Sequence, residues 1–240
     1  MLREFASAKG ITFPLLGDDG SRVITGLGLL DRDLADHHSR FGVPTQDSQH
    51  GVAYPAIFVL DKSGVVVDKR IQENYRAREG ALKLLEEALG LAVPAGGHQE
   101  TAAGSRVTVS AAADSDQYVR WQETRLHVVF DVATGWHVYG RPIADGYTPL
   151  TVEVATIPEV AVDAPEYPPS RPLHVEGLDQ DFQVNEGRFE IRVPFAVNVP
   201  PRHGSVDLEI TVRYQACSES ECLPPQAIKL GLCLEEAPPA

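Results

Sequence analysis

Two cysteines near the carboxyl end of the chain, Cys217 and Cys222, have the spacing of a redox-active pair. Four residues lie between them, and a disulfide closing so small a ring stabilises a fold by only about 2 kcal/mol in the chain-entropy model. A chain of 240 residues can bury a sizeable core without such a crosslink. Because a short ring is more useful as a bond that opens and closes, the pair predicts thiol–disulfide exchange.

Two other uses of the pair stay open at this point. The disulfide could clip a hairpin mechanically, or the two thiolates could supply half of a zinc site. Zinc would need two further ligands, and the usual second Cys or His pair is absent from the sequence. We therefore expect no metal and no other cofactor. A third cysteine, Cys233, has apolar neighbours at 230–234, which predicts a buried strand position.

Charge and hydropathy exclude several classes of partner. The formal net charge of −13 argues against nucleic acid or an anionic membrane surface as the main partner. No apolar run approaches the ~18 residues of a membrane span. The first residues lack the apolar segment of a signal peptide, so the sequence assigns no compartment, although a lasting disulfide needs an oxidising one.

The first part of the chain, residues 1–92, alternates between helical and strand patterns. Residues 56–67 predict a β-hairpin, because two apolar runs flank the turn sequence Asp-Lys-Ser-Gly at 61–64. Apolar residues recur at helical spacing over 79–91, with Gly90 as a stop signal. This alternation predicts an α/β domain.

The rest of the chain has a different pattern. Residues 93–105 are small, polar and aperiodic, which is typical of a flexible linker. Beyond them, over 106–236, the chain shows short β-like runs separated by Pro and Gly clusters, and residues 237–240 form a tail. The runs are 106–111, 125–132, 150–154, 188–193, 206–214 and 227–234. Since no helix of useful length interrupts them, we expect an antiparallel sandwich.

Four motifs of this second half resemble one known family. They are Thr-Gly-Trp-His-Val-Tyr-Gly at 134–140, Gly-Tyr-Thr-Pro-Leu at 146–150, Phe-Gln-Val-Asn-Glu-Gly-Arg-Phe-Glu-Ile at 182–191, and Tyr-Gln-Ala-Cys-Ser-Glu-Ser-Glu-Cys-Leu-Pro-Pro at 214–225. Together they resemble the amino-terminal domain of the thiol:disulfide interchange protein DsbD. The resemblance implies an immunoglobulin-like fold that shuttles electrons by disulfide exchange with thioredoxin-like partners, in a periplasmic or other extracytoplasmic compartment.

The same resemblance assigns roles to individual residues. It implies that Cys222 forms the mixed disulfide with a partner and that Cys217 resolves it, the two forming a disulfide when oxidised. A cap loop and two rings are expected around the pair: the loop tip at Asp181 and Phe182, and the rings of Tyr139 and His137.

The first half resembles the later portion of a redoxin domain, the peroxiredoxin-like branch of the thioredoxin superfamily. The segments 10–18 and 52–64 carry the likeness, which places Pro55 on the family's cis-proline. No cysteine precedes Cys217, so this half cannot be a thiol peroxidase as written. We favour a fragment of a longer protein over a degenerate domain that covers its sheet edges in another way.

The sequence thus predicts two domains: a truncated α/β thioredoxin-like domain followed by an all-β immunoglobulin-like sandwich. The favoured function is a thiol–disulfide carrier between thioredoxin-like proteins. Two alternatives remain: a non-catalytic protein-binding module with a structural disulfide, and part of a peroxiredoxin-type antioxidant protein whose active cysteine lies upstream. A bond that resists reduction would favour the first alternative, and an upstream cysteine in the gene would favour the second.

Overall fold

The chain divides into two units at a point earlier than the sequence predicts. The computed structural model describes residues 2–40, 44–46, 49, 51–72, 78–91, 95–155, 157–175, 180–201 and 204–238. Its internal contacts separate Met1–Tyr75 from Arg76–Ala240, so the helix expected at 79–91 belongs to the second unit rather than to the first. Among the described residues, every helix is too short or too polar to cross a bilayer.

The first unit contains the predicted hairpin. Its elements are the helices α1 (Leu2–Ala8), α2 (Arg22–Gly26) and α3 (Leu34–Arg40) and the antiparallel strands β1 (Ala56–Leu60) and β2 (Val66–Ile71). Asp61 fixes the turn, because its carboxylate accepts hydrogen bonds from the hydroxyl and N–H of Ser63 and from the N–H of Val65. These bonds, that of the Ser63 hydroxyl first, lower the pKa of Asp61.

The thioredoxin-like domain expected in the first half is not confirmed. In the described part of the first unit the sheet consists of β1 and β2 alone, without the parallel strands of that fold. The expected cis-proline is corrected as well: among the described residues the cis peptide bond joins Arg141 and Pro142, and the bond before Pro55 is trans. The trans isomer is the ordinary one for an X–Pro bond, and no cysteine of this unit faces Pro55.

The second unit is mostly β-sheet, as predicted. Its strands are β3 (Glu100–Ala103), β4 (Val107–Ala113), β5 (Gln117–Tyr118), β6 (Glu123–Val132), β7 (His137–Tyr139), β8 (Thr151–Val154), β9 (Val160–Val162), β10 (Arg171–Val175), β11 (Gln180–Glu186), β12 (Arg188–Val197), β13 (Ser205–Tyr214), β14 (Ala216–Cys217) and β15 (Gln226–Glu236). They form three sheets, ordered β3-β4-β6-β12-β9, β5-β15-β13-β8 and β10-β11-β7-β14.

One hydrophobic core joins the three sheets. Strands β13 and β15 pair along nearly their whole length, and their buried positions alternate with half-buried or exposed ones, so one face of each enters the core. Fully buried contributors from the three sheets include Phe130 and Ile191, Ile210 and Val212, and Val138. Each side chain of this size stabilises the fold by about 1.5–3 kcal/mol. Sheets packed through alternating side chains form a β-sandwich.

The segment predicted as a linker is partly ordered in the sandwich. Strand β3 occupies part of 93–105 and pairs with β4, where the hydroxyl oxygens of Thr101 and Ser110 lie 2.9 Å apart. The N–H of Gly96 also donates to the carbonyl of Asp114 at 3.0 Å. Small polar residues were read as flexible, but backbone pairing on a sheet edge needs no large side chains. Residues 92–94 lie outside the described part.

Helix α4 (Ala81–Leu89) belongs to the second unit, in contact with the outer face of the five-stranded sheet. It ends as predicted at Gly90, whose φ of 64° places it in the left-handed region. Lys83 donates to the carboxylate of Glu123 at 2.7 Å. Glu86 accepts hydrogen bonds from Arg125 and, at 3.0 Å, from Arg192. The helix is therefore held by charged contacts to strands β6 and β12.

Glu86 belongs to a set of six charged side chains on that sheet face, which we name the charge network. Its members are Glu86, Asp114, Arg125, His127, Glu190 and Arg192. His127 lies 2.9 Å from Asp114 through Nε2 and 2.6 Å from Glu190 through Nδ1. Burial of His127 acts to lower its pKa, but these hydrogen bonds outweigh that effect and raise the pKa to about 9. The hydrogen bond from His127 lowers the pKa of Glu190 to about 2. With His127 protonated, the three positive and three negative charges balance.

Candidate functional site

The cysteine pair closes the end of a sheet. Strand β13 runs through Gln215 into β14, where Cys217 lies opposite His137 of β7. Cys217 and Cys222 form a disulfide with their Cα atoms 4.1 Å apart, and they face each other as an antiparallel bridge. Inside the ring the N–H of Ser218 donates to the carbonyl of Glu221 at 2.8 Å. The ring is thus a tight hairpin at the edge of the sheet β10-β11-β7-β14.

The two sulfur-bearing residues differ sharply in exposure. Cys217 is 1% exposed, whereas Cys222 is exposed to solvent. The residues that follow Cys222 include Pro224 and Pro225, which are also exposed and whose rings fix φ and remove two backbone donors. A thiolate arriving from solution therefore meets Cys222 and not Cys217.

Three aromatic rings lie on the face of the sheet that carries Cys217, and we name them the aromatic cover. The cover consists of Tyr139 from β7, Tyr147 from the segment between β7 and β8, and Phe182 from β11, with ring centroids 4.9–5.2 Å apart. Cys217 is buried in one cluster with Tyr139, Phe182 and Val184. Tilted and edge-on pairs at these distances are favourable geometries for aromatic rings. The cover shields the inner sulfur from water.

The structure corrects the position expected for Asp181 and Phe182. Both were placed at the tip of a cap loop, but both lie in strand β11, opposite His174 and Leu173 of β10. Asp181 is exposed and lies 2.8 Å from His174 Nδ1, while Phe182 is 1% exposed. The alternation of a strand separates the two neighbours, one toward solvent and one into the cover. Residues 176–179, which connect β10 to β11, lie outside the described residues.

Tyr139 and His137 lie beside the pair, each with its own contact. The hydroxyl of Tyr139 donates a hydrogen bond to Cys222 Sγ over 3.7 Å, and burial raises the pKa of Tyr139 to about 12. His137 meets the Tyr139 ring edge-on at 5.3 Å, and burial lowers the pKa of His137. Both side chains are therefore uncharged at neutral pH, and neither supplies a positive charge that would favour a thiolate.

Cys233 occupies an exposed position rather than the buried one predicted for it. The strand period explains the correction, because Leu232 and Leu234 of β15 enter the core and the residue between them points outward. Asp207 lies opposite Cys233 on β13, and its hydrogen bond and charge raise the pKa of the Cys233 thiol. Cys233 is thus a free, weakly nucleophilic thiol that takes no part in the pair.

Gln215 belongs to the site, although sequence reasoning assigned it no role. Its side chain is nine-tenths buried, and its Oε1 accepts a hydrogen bond from the N–H of Thr148 at 3.0 Å. Its Nε2 donates to the carbonyl of Leu223 at 3.1 Å. The one available signal was an amide side chain between the apolar residues Tyr214 and Ala216, because a buried amide must find partners.

In the part of the chain that the structure describes, no group of three or more His, Cys, Asp or Glu side chains is arranged so that it could hold a metal ion. Pro55, the remaining residue expected at the site, belongs to the first unit, whereas the cysteine pair belongs to the second. The described site presents a disulfide with the hydroxyl of Tyr139 beside its exposed sulfur.

Comparison with known proteins identifies relatives of the second unit. A family model described as thiol:disulfide interchange protein DsbD, N-terminal, matches residues 107–232, more than half of the chain. Among solved structures, the N-terminal periplasmic domain of ScsB from Proteus mirabilis is 17% identical with a TM-score of 0.42, covering 56% of this chain and 49% of that chain. The yeast GGA1 GAE domain is 9% identical with a TM-score of 0.33, covering 55% of this chain and 95% of that one. The match thus spans about half of the ScsB chain. A search of curated proteins gave no match.

Proposed function

Because the chain belongs to the family of the N-terminal domain of the thiol:disulfide interchange protein DsbD, we propose that it carries electrons between thioredoxin-like proteins through Cys217 and Cys222. The family supports a role in thiol–disulfide exchange. The observation that carries the finer assignment is the unequal exposure of the two cysteines, 1% for Cys217 against an open Cys222. A pair that only clipped the hairpin would have no need of one accessible sulfur.

The exchange proceeds in two balanced steps. A thiolate of a reduced partner attacks Cys222 Sγ, forming a mixed disulfide and breaking the bond to Cys217, whose sulfur leaves with the electron pair and takes a proton. The second cysteine thiolate of the partner then attacks the partner's sulfur in the mixed disulfide. The partner forms its own disulfide, and Cys222 leaves as a thiolate. Two electrons have passed to this chain, and the reverse sequence passes them to an oxidised partner.

The aromatic cover controls the first step. Cys217 must leave as a thiolate, and its burial beneath Tyr139 and Phe182 disfavours the charged form. The free oxidised protein should therefore react slowly with small thiols, and a docked partner that displaces the cover would admit water to the leaving sulfur. Glu219 and Glu221, both exposed within the ring, add negative charge that further opposes thiolate formation in the reduced protein.

The reduction potential of the pair tests this function. We expect a value between roughly −120 and −270 mV, the range of exchange catalysts and carriers. The measurement is equilibration against glutathione with thiol trapping and mass spectrometry. A potential below about −300 mV would make the bond a structural staple and would favour the binding-module alternative.

Replacement of Tyr139 by Phe tests the hydroxyl beside Cys222. The variant keeps the ring in the cover but removes the hydrogen bond to Cys222 Sγ. Cys222 leaves as a thiolate in the second step, and a hydrogen bond to a charged group contributes about 1.5–3 kcal/mol, so exchange with a thioredoxin should slow by about tenfold or more. Stopped-flow fluorescence measures the rate. Tyr147→Phe is the matched control, because Tyr147 shares the cover; equal slowing in both variants would contradict the role.

The likeness of residues 1–92 to a redoxin remains a separate hypothesis. It rests on the segments 10–18 and 52–64, and the confirmed hairpin β1–β2 lies at the second of these. A cysteine encoded upstream of Met1 at redoxin spacing would support it, and a coding sequence without one would leave the second unit as the site of redox chemistry.

A further inference from the structure

A single amide joins the three segments that surround the disulfide. Gln215 lies between β13 and β14, immediately before the strand of Cys217. Its Oε1 accepts from the N–H of Thr148, and its Nε2 donates to the carbonyl of Leu223. Both polar atoms of this buried side chain are therefore hydrogen-bonded, and each binds a different segment.

The bond to Thr148 fixes one part of the aromatic cover. Thr148 follows Tyr147, whose ring lies 4.9 Å from Phe182 and 5.1 Å from Tyr139. Because the backbone of this segment is tied to Gln215, the Tyr147 ring is held over the cluster that buries Cys217. Release of Thr148 would free the segment to move away from the inner sulfur.

The bond to Leu223 fixes the outer sulfur. Leu223 follows Cys222, and its N–H donates to the carbonyl of Ala216 at 2.9 Å. With the Gln215 bond to its carbonyl, both backbone polar groups of Leu223 are attached to the chain that enters Cys217. The direction in which Cys222 faces solvent is set by these two bonds.

We propose that Gln215 is a positioning residue for the exchange reaction, holding Cys222 open and the cover closed over Cys217. The inference rests on the proposed exchange function. When a dithiol thiolate attacks Cys222 Sγ, a sulfur–sulfur bond forms there, the bond to Cys217 breaks, and the Cys217 sulfur takes the electron pair and then a proton. The second thiolate of the dithiol then attacks the dithiol sulfur bound to Cys222, so the dithiol becomes a cyclic disulfide and Cys222 is released. If the cover is no longer held by Gln215, water reaches Cys217 and the Cys217 thiolate leaves faster.

Gln215→Met tests this role, because Met has a similar length and neither accepts nor donates these hydrogen bonds. Reduction of the variant disulfide by dithiothreitol should be about tenfold faster than in the wild type, the change expected for lost hydrogen bonds of ordinary strength. The Thr148 amide should lose protection against hydrogen exchange by a similar factor. Quenched-flow thiol trapping and amide exchange measure the two effects on the full chain.

Gln226→Met is the matched control. Gln226 lies opposite Tyr214 and accepts from its hydroxyl at 2.8 Å, and its amide also binds Ser105. Its loss removes at least as many hydrogen bonds, at the adjoining end of strands β13 and β15, without touching the cover or Leu223. We expect the disulfide of this control to be reduced at the wild-type rate and the Thr148 amide to keep its wild-type protection. A general loosening of the sandwich would change both.

The outcomes separate this inference from the function on which it rests. A wild-type disulfide that dithiothreitol does not reduce would overturn both. A wild-type disulfide that is reduced, with Gln215→Met reacting at the same rate, would overturn the positioning role alone, as would equal acceleration by Gln226→Met. If Gln215→Met does not fold, Gln215→Ala replaces it: that variant also loses both hydrogen bonds and leaves space for water beside Thr148 and Leu223, so faster reduction is again expected, and an unchanged rate overturns the role.

Discussion

A Cys217→Ser variant should accumulate a mixed disulfide with a thioredoxin-like protein, and a Cys222→Ser variant should form none. Of the two cysteines of the pair, Cys222 is exposed and can be joined to a partner, whereas Cys217 is 1% exposed and buried with Tyr139 and Phe182. Without Cys217 no internal thiol can resolve the adduct. The effect should be all-or-none, because it depends on access to an atom and not on a graded energy.

The experiment that detects this mixed disulfide needs two precautions. Cys233 is a second exposed thiol, so both variants should carry Cys233→Ser to keep it from forming adducts of its own. The partner should be a thioredoxin whose resolving cysteine has been replaced and whose remaining cysteine carries 5-thio-2-nitrobenzoate in disulfide linkage, so that attack by the Cys222 thiolate forms the mixed disulfide and releases the aromatic thiolate. Non-reducing electrophoresis followed by peptide mass mapping identifies the joined residues. Equal trapping by either variant, or a bond mapped to Cys217, would refute the assignment.

Replacement of His127 by Leu should lower the free energy of unfolding by about 3 kcal/mol, the typical loss when one partner of a buried ion pair is removed. His127 is 5% exposed and lies within hydrogen-bonding distance of Asp114 and Glu190, which would be left facing each other without the positive charge between them. Urea unfolding followed by circular dichroism measures the loss. Lys229→Ala is the control: Lys229 pairs with Glu209 on an exposed surface, where about 0–1 kcal/mol is expected.

The same network makes the stability depend on pH in a defined direction. The pKa of His127 is raised from 6.5 to about 9, so its contribution is complete below 6.5 and is lost as the pH rises through about 9. The pKa of Glu190 is lowered from 4.5 to about 2, so its contribution is complete above 4.5 and is lost as the pH falls through about 2. Thermal melts should show the wild type losing stability between about pH 6.5 and about pH 9. A His127→Leu variant that loses as much over this range would contradict the assignment.

The sequence was sufficient for the parts of the molecule that depend on local pattern. The turn at Asp61, the helix stop at Gly90 and long strands such as β6 and β13 follow from turn chemistry and alternation, and the structure places them within a few residues of the prediction. The spacing of Cys217 and Cys222, together with the family resemblance, identified the pair, and its disulfide is present.

What the sequence missed depends on contacts between distant segments. Arg125 and His127 alternate with core residues of β6 and so resemble solvent-facing positions, but Glu86 of α4 and Glu190 of β12 lie against them. Phe182 was assigned to a loop tip through the family resemblance, whereas its position is set by the pairing of β10 with β11, two short strands of mixed polarity. Cys233 was assigned to the core from its neighbours, although alternation alone would have placed it outside.

The contacts of α4 with the sheet decide where a recombinant fragment of the second unit should begin. A recombinant fragment begun at the family boundary near residue 107 would contain every sandwich strand after β3 but would lack Glu86. Its Arg125, 2% exposed in the intact chain, would be left on an uncovered sheet face with one of its two carboxylate partners gone. Fragments for crystallisation or spectroscopy should therefore begin before Arg78, whose backbone pairs with Gln122 beside the same strand.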